Sequence, residues 1–389
     1  MVTDTASTSA PLPSRDPPLV PPTAPARPVG EQFDLARRVE VKLLERPIHI
    51  TQPWGRVIDL SRGVATTAAT LFEPYTPLTP RTSNAFGHYA VLLPDGGHAT
   101  VTLAPVPMSP PYPPAESKVR FVLESGGRYE RTREGTAGIY PDRAGRFAWI
   151  VWFGPPEHRW YQVELIDLND GRTVVFHEGA DRSWANGVIP VEGGVLVNEA
   201  HTVRFISATG EARDLGLGAA FAAGTTKWIR GSCTDSLRRR GCTLTLEDLS
   251  ARTVPVAISK PESGDWQEVT TGYMAPQRGV GLLSTSAEGS RALLWLLREQ
   301  PMAPPKETIQ DRTLVLVDLV GGATRAIRRF ESTLPSLALS RDGNDVVVIH
   351  PFTDTQPDTL SVLSLTDGTV TDLSDTIIKP GHYIAAATS

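Results

Sequence analysis

Short apolar runs separated by glycine-bearing turns recur along the chain, and this alternation predicts strands with almost no room for helices. The clearest unit is an apolar run ending in an Asp-Leu or Ser-Leu type of step, then a glycine turn, then a polar run rich in Thr, Val or Arg. Copies read VIDLSRG at 57–63, FVLESGG at 121–127, LIDLNDG at 165–171, RFISATG at 204–210, VLVDLVGG at 315–322 and VLSLTDG at 362–368. A further copy, LEDLSAR at 246–252, has lost its glycine. A second signal is an Asp-Gly type of turn leading into a strongly apolar strand. PDG at 94–96 precedes ATVTL, PDR at 141–143 precedes FAWIVW, AEG at 287–289 precedes ALLWL, and RDG at 341–343 precedes DVVVI.

An apolar inner strand, a second strand, a glycine turn and a polar outer strand make one four-stranded blade, and a spacing of about 40 to 50 residues matches propeller repeats. The expectation is an all-β protein: a single β-propeller over residues 33–389 with seven four-stranded blades. The long interval from Cys242 to Gly322 leaves six or eight blades open. The stretch FDLARRVEVKLL at 33–44 fits a short helix and an alternating strand equally.

The Asp-Gly turn before an apolar strand, clearest at Ser340-Arg341-Asp342-Gly343, resembles the WD40-like repeat of TolB-type bacterial propellers. The resemblance covers about four of the seven blades and implies the fold class. The Trp-Asp step of eukaryotic WD40 blades is absent, and nothing matches the Asp-box of sialidases.

Composition narrows the classes. Hydrophobic residues make up 40% and charged residues 21%, with 33 Gly and 34 Pro, which suits many short strands and tight turns. A net charge of −5 gives no electrostatic footprint for nucleic acid. The local cluster Arg238-Arg239-Arg240 reads as a solvated hairpin tip. Residues 1–32 are dominated by Pro, Ser, Thr and Ala and read as a disordered arm, with neither the basic start nor the apolar run of an export signal. No run of 18 apolar residues exists to predict a membrane-spanning helix.

Cys233 and Cys242 are the two cysteines, flanked by WIR before and TLTL after, so they read as facing each other across a hairpin. Such a pair reaches disulfide distance without distortion, and closing so short a loop is worth roughly 2–3 kcal/mol. Free thiols are the alternative. A structural disulfide favours an extracytoplasmic, oxidising compartment, with an export signal or anchor then lying upstream.

The search for chemistry finds no nucleophile elbow, zinc helix, phosphate loop or calcium loop, so no catalytic residue, metal or cofactor is assigned. The histidines stand singly. Aromatics concentrate at Trp149, Trp152, Phe153, Trp160 and Tyr161, around a loop containing His158 and Arg159. Packing between blades explains Trp149, and stacking across the hairpin explains Trp160 and Tyr161. The sharper reading makes Trp152, Phe153, His158, Arg159, Trp160 and Tyr161 a binding rim, since Trp, Tyr and Arg dominate recognition surfaces. Two Pro-rich hairpins, at 104–115 and 300–306, are expected on the same rim. The function expected is a non-enzymatic, monomeric scaffold binding a protein or small ligand through rim loops and the central mouth. The alternative is a lyase or hydrolase with an axial site.

Overall fold

The computed structural model describes residues 27–28, 42–47, 55–60, 62, 64–68, 88–93, 97–103, 116–123, 125–142, 145–154, 160–179, 185–199, 201–235, 239–250, 254–261, 264–268, 285–286, 288–300, 309–330, 336–350, 359–372 and 382–388. Among them there are strands and turns but no helix, and none long and apolar enough to cross a membrane.

The strands fall into seven antiparallel sheets. Blade 1 contains β1 (Arg27–Pro28), β2 (Lys42–Pro47), β3 (Gly55–Asp59) and β4 (Val64–Ala68). Blade 2 is β5 (His88–Leu92), β6 (His98–Leu103), β7 (Glu116–Val122) and β8 (Arg128–Glu134). Blade 3 is β9 (Thr136–Pro141), β10 (Phe147–Phe153), β11 (Tyr161–Asp167) and β12 (Thr173–Glu178). Blade 4 is β13 (Ala185–Val191), β14 (Gly194–Glu199), β15 (Thr202–Ser207) and β16 (Ala212–Leu217). Blade 5 is β17 (Ala219–Ala223), β18 (Lys227–Asp235), β19 (Arg240–Asp248) and β20 (Val256–Ile258). Blade 6 is β21 (Asp265–Glu268), β22 (Arg291–Gln300), β23 (Ile309–Asp318) and β24 (Thr324–Phe330). Blade 7 is β25 (Ser336–Leu339), β26 (Asp345–His350), β27 (Thr359–Ser364) and β28 (Val370–Asp372).

The last strand, β29 (His382–Thr388), returns to blade 1 and pairs with β2. Blade 1 is therefore ordered β29-β2-β3-β4-β1, and a C-terminal strand joined to four N-terminal ones closes the ring. Lys42 to Leu44 thus belong to a strand; 33–41 lie outside the described residues. Within the Pro-rich segment, Arg27 and Pro28 pair with Ala65 and Val64 at the outer edge of this blade, and the rest of 1–32 lies outside the described residues.

The first strands of successive blades touch (β29 with β5, β9 with β13, β13 with β17, β17 with β21, β25 with β29) and form the inner ring. The cores lie between blades. Ala148, Ile150 and Trp152 of β10 pack with Val119 and Phe121 of blade 2, whereas Trp149, Val151 and Phe153 pack with Val195 and Val197 of blade 4. A strand sandwiched in this way buries both of its faces, which is why FAWIVWF is an unbroken apolar run without period-2 alternation.

Antiparallel order puts the turns joining strands one to two and three to four on one face of the ring. The hairpins joining strands two to three lie on the other. The first face is knitted by a repeated bond between its two turns: Leu168 N–H donates to the Arg146 carbonyl, Ala208 to Gly193, Leu249 to Thr226, Leu319 to Ser290 and Leu365 to Asn344. The Asp or Ser of the repeat stiffens the turn through its side chain. Asp167 Oδ1 accepts from Asn169 N–H at 2.9 Å and Asp318 Oδ1 from Val320 N–H at 2.8 Å. Gly171 sits at φ +69° with the Tyr129 ring of the preceding blade where a Cβ would be. At Gly210 and Gly322 the preceding blade comes less close: a Cβ would lie 3.6 Å from Val175 and 3.3 Å from Val256. In blade 5, whose turn has lost the glycine, Arg213 of the preceding blade donates to the Leu249 carbonyl, as Arg131 does to the Gly171 carbonyl of blade 3.

A candidate functional site at the mouth of the inner ring

The hairpin between β18 and β19 opens on the second face and carries the disulfide. Cys233 and Cys242 are directly opposed, 3.8 Å apart at Cα, and are bonded. Beyond them, among the described residues, Asp235 pairs with Arg240. Arg239, at the tip, has φ +52°, the one non-glycine positive φ among the described residues. Gly241 follows at φ +60°, and a side chain there would strike Thr234, whose hydroxyl donates to the Arg240 carbonyl at 3.2 Å.

Arg239 is only 9% exposed. Its Nη2 lies where a Cβ on Gly187 of β13 would come within 2.1 Å, and its Cζ is 5.9 Å from the centroid of Phe221 of β17. Beside it Asn198, almost fully buried, spans blades 4 and 5: its Oδ1 accepts from Ala220 N–H at 2.6 Å and its Nδ2 donates to the Ala220 carbonyl at 3.0 Å. Tyr140 of β9 is close enough to interact electrostatically with the guanidinium. Burial lowers Arg239 from 12.5 to about 10, with Tyr140 opposing that shift, and burial raises the Tyr140 phenol to about 12. At neutral pH the guanidinium stays protonated, so one cation is held at the mouth by the inner strands of three successive blades.

Two charged clusters lie farther out. Glu199 accepts from the Tyr161 hydroxyl and pairs with Arg204 Nε at 2.9 Å, joining blades 3 and 4. Glu164, 1% exposed on its side chain, faces Arg131 Nε at 3.5 Å and Arg133 Nη2 at 3.7 Å from blade 2. It also accepts from Trp152 Nε1–H at 3.3 Å and from the Thr173 hydroxyl. Each carboxylate has partners from its own blade and from the adjoining one: Glu199 from Arg204 and Tyr161, Glu164 from Trp152 and Thr173 and from Arg131 and Arg133, the arrangement of an inter-blade tie. Among the described residues no three His, Cys, Asp or Glu side chains gather to hold a metal.

The expected aromatic rim takes a different form. Trp152, Phe153 and Tyr161 are at most 5% exposed and belong to the inter-blade cores, because every central strand is covered on both faces. They are packing residues and do not form an exposed binding edge. Trp160 packs half-buried against the core between blades 2 and 3, while His158 and Arg159 lie outside the described residues. So do 104–115 and 301–306, each of which lies in sequence between a second and a third strand. Arg239 itself is the residue that sequence reading misplaced, as part of a solvated triplet. Its burial depends on β13 and β17, and the cysteine pair with Gly241 is the one local sign of a shaped tip.

No known family model matches the chain, and no curated protein matches it. Among solved structures it is similar to the β-propeller domain of the Trilobed protease from Pyrococcus furiosus, at 11% identity and a TM-score of 0.50, covering 83% of this chain and 90% of that one. That domain has an open velcro topology, whereas here β29 closes blade 1. TolB from Acinetobacter baumannii is similar at 14% identity and a TM-score of 0.38, over 85% of this chain and 78% of that one. An oligogalacturonate lyase in complex with manganese is similar at 10% identity and 0.41, over 73% and 83%. The chain is a β-propeller.

Proposed function

We propose that this propeller is a non-catalytic scaffold that binds a protein or small ligand at the mouth of its ring, on the face of the Arg239 hairpin. The supporting observation is the difference between its faces. One is occupied by turns bonded to one another in blade after blade; on the other, where second strands end and third strands begin, Arg239 is fixed beside the inner strands of blades 4 and 5. Connections between strands, carried on a rigid frame, are where scaffolds hold recognition. The disulfide suits an oxidising, extracytoplasmic setting.

The test is cross-linking of the intact, oxidised protein in extracts of its source, with cross-linked residues mapped by mass spectrometry. Arg239→Ala should remove a specific adduct, and Lys227→Ala, on the turn face, should leave it in place. Adducts confined to the turn face would refute the reading. So would turnover of a hydrolase or lyase substrate that Arg239→Ala abolishes.

A further inference from the structure

We propose that blade 5 carries a self-association edge: its outer strand β20 pairs antiparallel with β20 of a second copy of this chain, about a two-fold axis beside Val256. The argument begins with the outer edges of the seven sheets. An edge strand offers unused N–H and C=O groups to any other strand, and charges or prolines on it keep other strands off. Five of the outer strands carry charge: RYERTRE in β8, TVVFHE in β12, ARDLGL in β16, TRAIRRF in β24 and VTD in β28. In blade 1 the uncharged β4, VATTA, is covered by Arg27 and Pro28 of β1. The strand β20, reading VAI, has no charge, and among the described strands none covers it.

The surface beside that edge is apolar. Val254 is 86% exposed, Val256 46% and Val320 66%. A Cβ on Gly322 would lie 3.3 Å from Val256, so the blade 6 turn that holds Val320 borders the strand. Turn and strand are fixed to blade 5 from both sides. Lys227 Nζ donates to the Val320 carbonyl at 2.6 Å, and the Thr324 hydroxyl donates to the Ser259 carbonyl at 2.7 Å. Exposed apolar side chains gathered in one place mark an interaction surface.

Self-complementarity selects a second copy as the occupant. Val254, Val256 and Ile258 fall on one face by alternation. Paired about Val256, that valine stands opposite its own counterpart, and each Val254 stands opposite Ile258 of the second copy. All the cross-strand pairs on this face are then apolar. The same symmetry applied to β24 about Ile327 would oppose Arg325 to Arg329, and applied to β8 about Arg131 would oppose that arginine to itself. A two-fold contact of this kind closes at two copies. Pro255 has no N–H to offer, and the strand is three residues long, so the contact is small. Below the roughly 1,200 Å² of stable complexes, the dissociation constant is expected on the order of 100 μM. The edge lies on the outer rim, away from the Arg239 hairpin, so its failure would leave the scaffold reading standing.

The experiment is sedimentation velocity on the intact, oxidised chain from about 1 to about 500 μM, a range that brackets that constant. The mean mass should rise toward the dimer. Val256→Lys sets like charges opposite each other, and Val254→Lys alters a side chain that is almost wholly in water; each should weaken the dimer by about tenfold or more. Val174→Lys, on the outer strand of blade 3, should leave it unchanged. Val256→Cys should bridge copy to copy under mild oxidation, whereas Val254→Cys should bridge little, because the two-fold sets its counterparts four residues apart. A monomer at every concentration would overturn the proposal and leave the edge to a strand of another protein. A dimer that survives both lysine variants, or equal bridging at the two cysteine positions, would overturn it as well.

Discussion

The guanidinium of Arg239 rests on Gly187: a methyl group at that glycine would stand 2.1 Å from Nη2. The two residues come from different blades, so the contact fixes the hairpin of blade 5 against the inner strand of blade 4. What a substitution meets there is the end of a long side chain, and a long side chain can move. Gly187→Ala is expected to expel Arg239 while keeping the fold, at a cost of about 1–2 kcal/mol in denaturant unfolding. In the oxidised variant, phenylglyoxal, an arginine reagent, should then modify Arg239 readily.

A turn glycine on the opposite face has no such freedom. Gly171 combines φ +69° with the Tyr129 ring 2.0 Å from the Cβ position, and Tyr129 is itself anchored by its hydroxyl to the Asn169 carbonyl at 2.7 Å. Gly126, at φ +90°, has nothing within 4 Å. Gly126→Ala is expected to cost about 1 kcal/mol from backbone strain alone. Gly171→Ala should cost about 2–3 kcal/mol, since it adds overpacking between blades. Equal losses in paired denaturant titrations would show that the glycine serves only the turn.

The Glu164 tie is expected to matter through its burial. Glu164→Ala leaves Arg131 and Arg133 partly exposed but without their shared anion, and leaves Trp152 Nε1–H buried without an acceptor. Its cost should be about 3 kcal/mol. Glu164→Gln keeps an acceptor for Trp152 and should cost less than half of that. Thermal or denaturant melts of the two variants decide the order.

His98 supplies a pH dependence. Burial, helped by Arg128, lowers its pKa from 6.5 to about 4, and its Nε2 has no hydrogen-bond partner among the described residues. Between these values the unfolded chain binds a proton that the folded chain refuses, so folding stability rises with pH through the window. The contribution is complete above about 6.5 and is lost as pH falls toward 4, up to about 3 kcal/mol in all. His98→Leu should flatten that part of the stability-against-pH curve, and an unchanged slope would assign it to other groups.

Much of the fold was legible because the turns are local. The LIDLNDG, VLVDLVGG and VLSLTDG copies each became a turn between third and fourth strands, and LEDLSAR did so without its glycine. The interval from Cys242 to Gly322 spans just the end of blade 5 and most of blade 6, which settles the count at seven. The facing cysteines were legible for the same reason. Pairing of β2 with β29 was not, since its partners stand at opposite ends of the chain and neither carries a mark of the other. The aromatic strand misled in its sharper reading: Trp152 and Phe153 look like a surface patch only if one face of the strand is open. Arg239 misled because a basic triplet belongs in water unless a distant strand, here β13 with its Gly187, makes a place for it.

A mouth exists only if the ring is closed, and closure is carried by Lys42 of β2 facing Thr388 of β29. The direct measurement is cross-linking of Lys42→Cys/Thr388→Cys under mild oxidation, beside Lys42→Cys/Ala386→Cys as the off-register control. Closure in this register predicts rapid, near-complete bridging in the first variant, seen as faster migration on a non-reducing gel, and little in the control. Failure of the first pair to bridge in the folded protein, or equal bridging in both, would contradict a ring closed between β2 and β29.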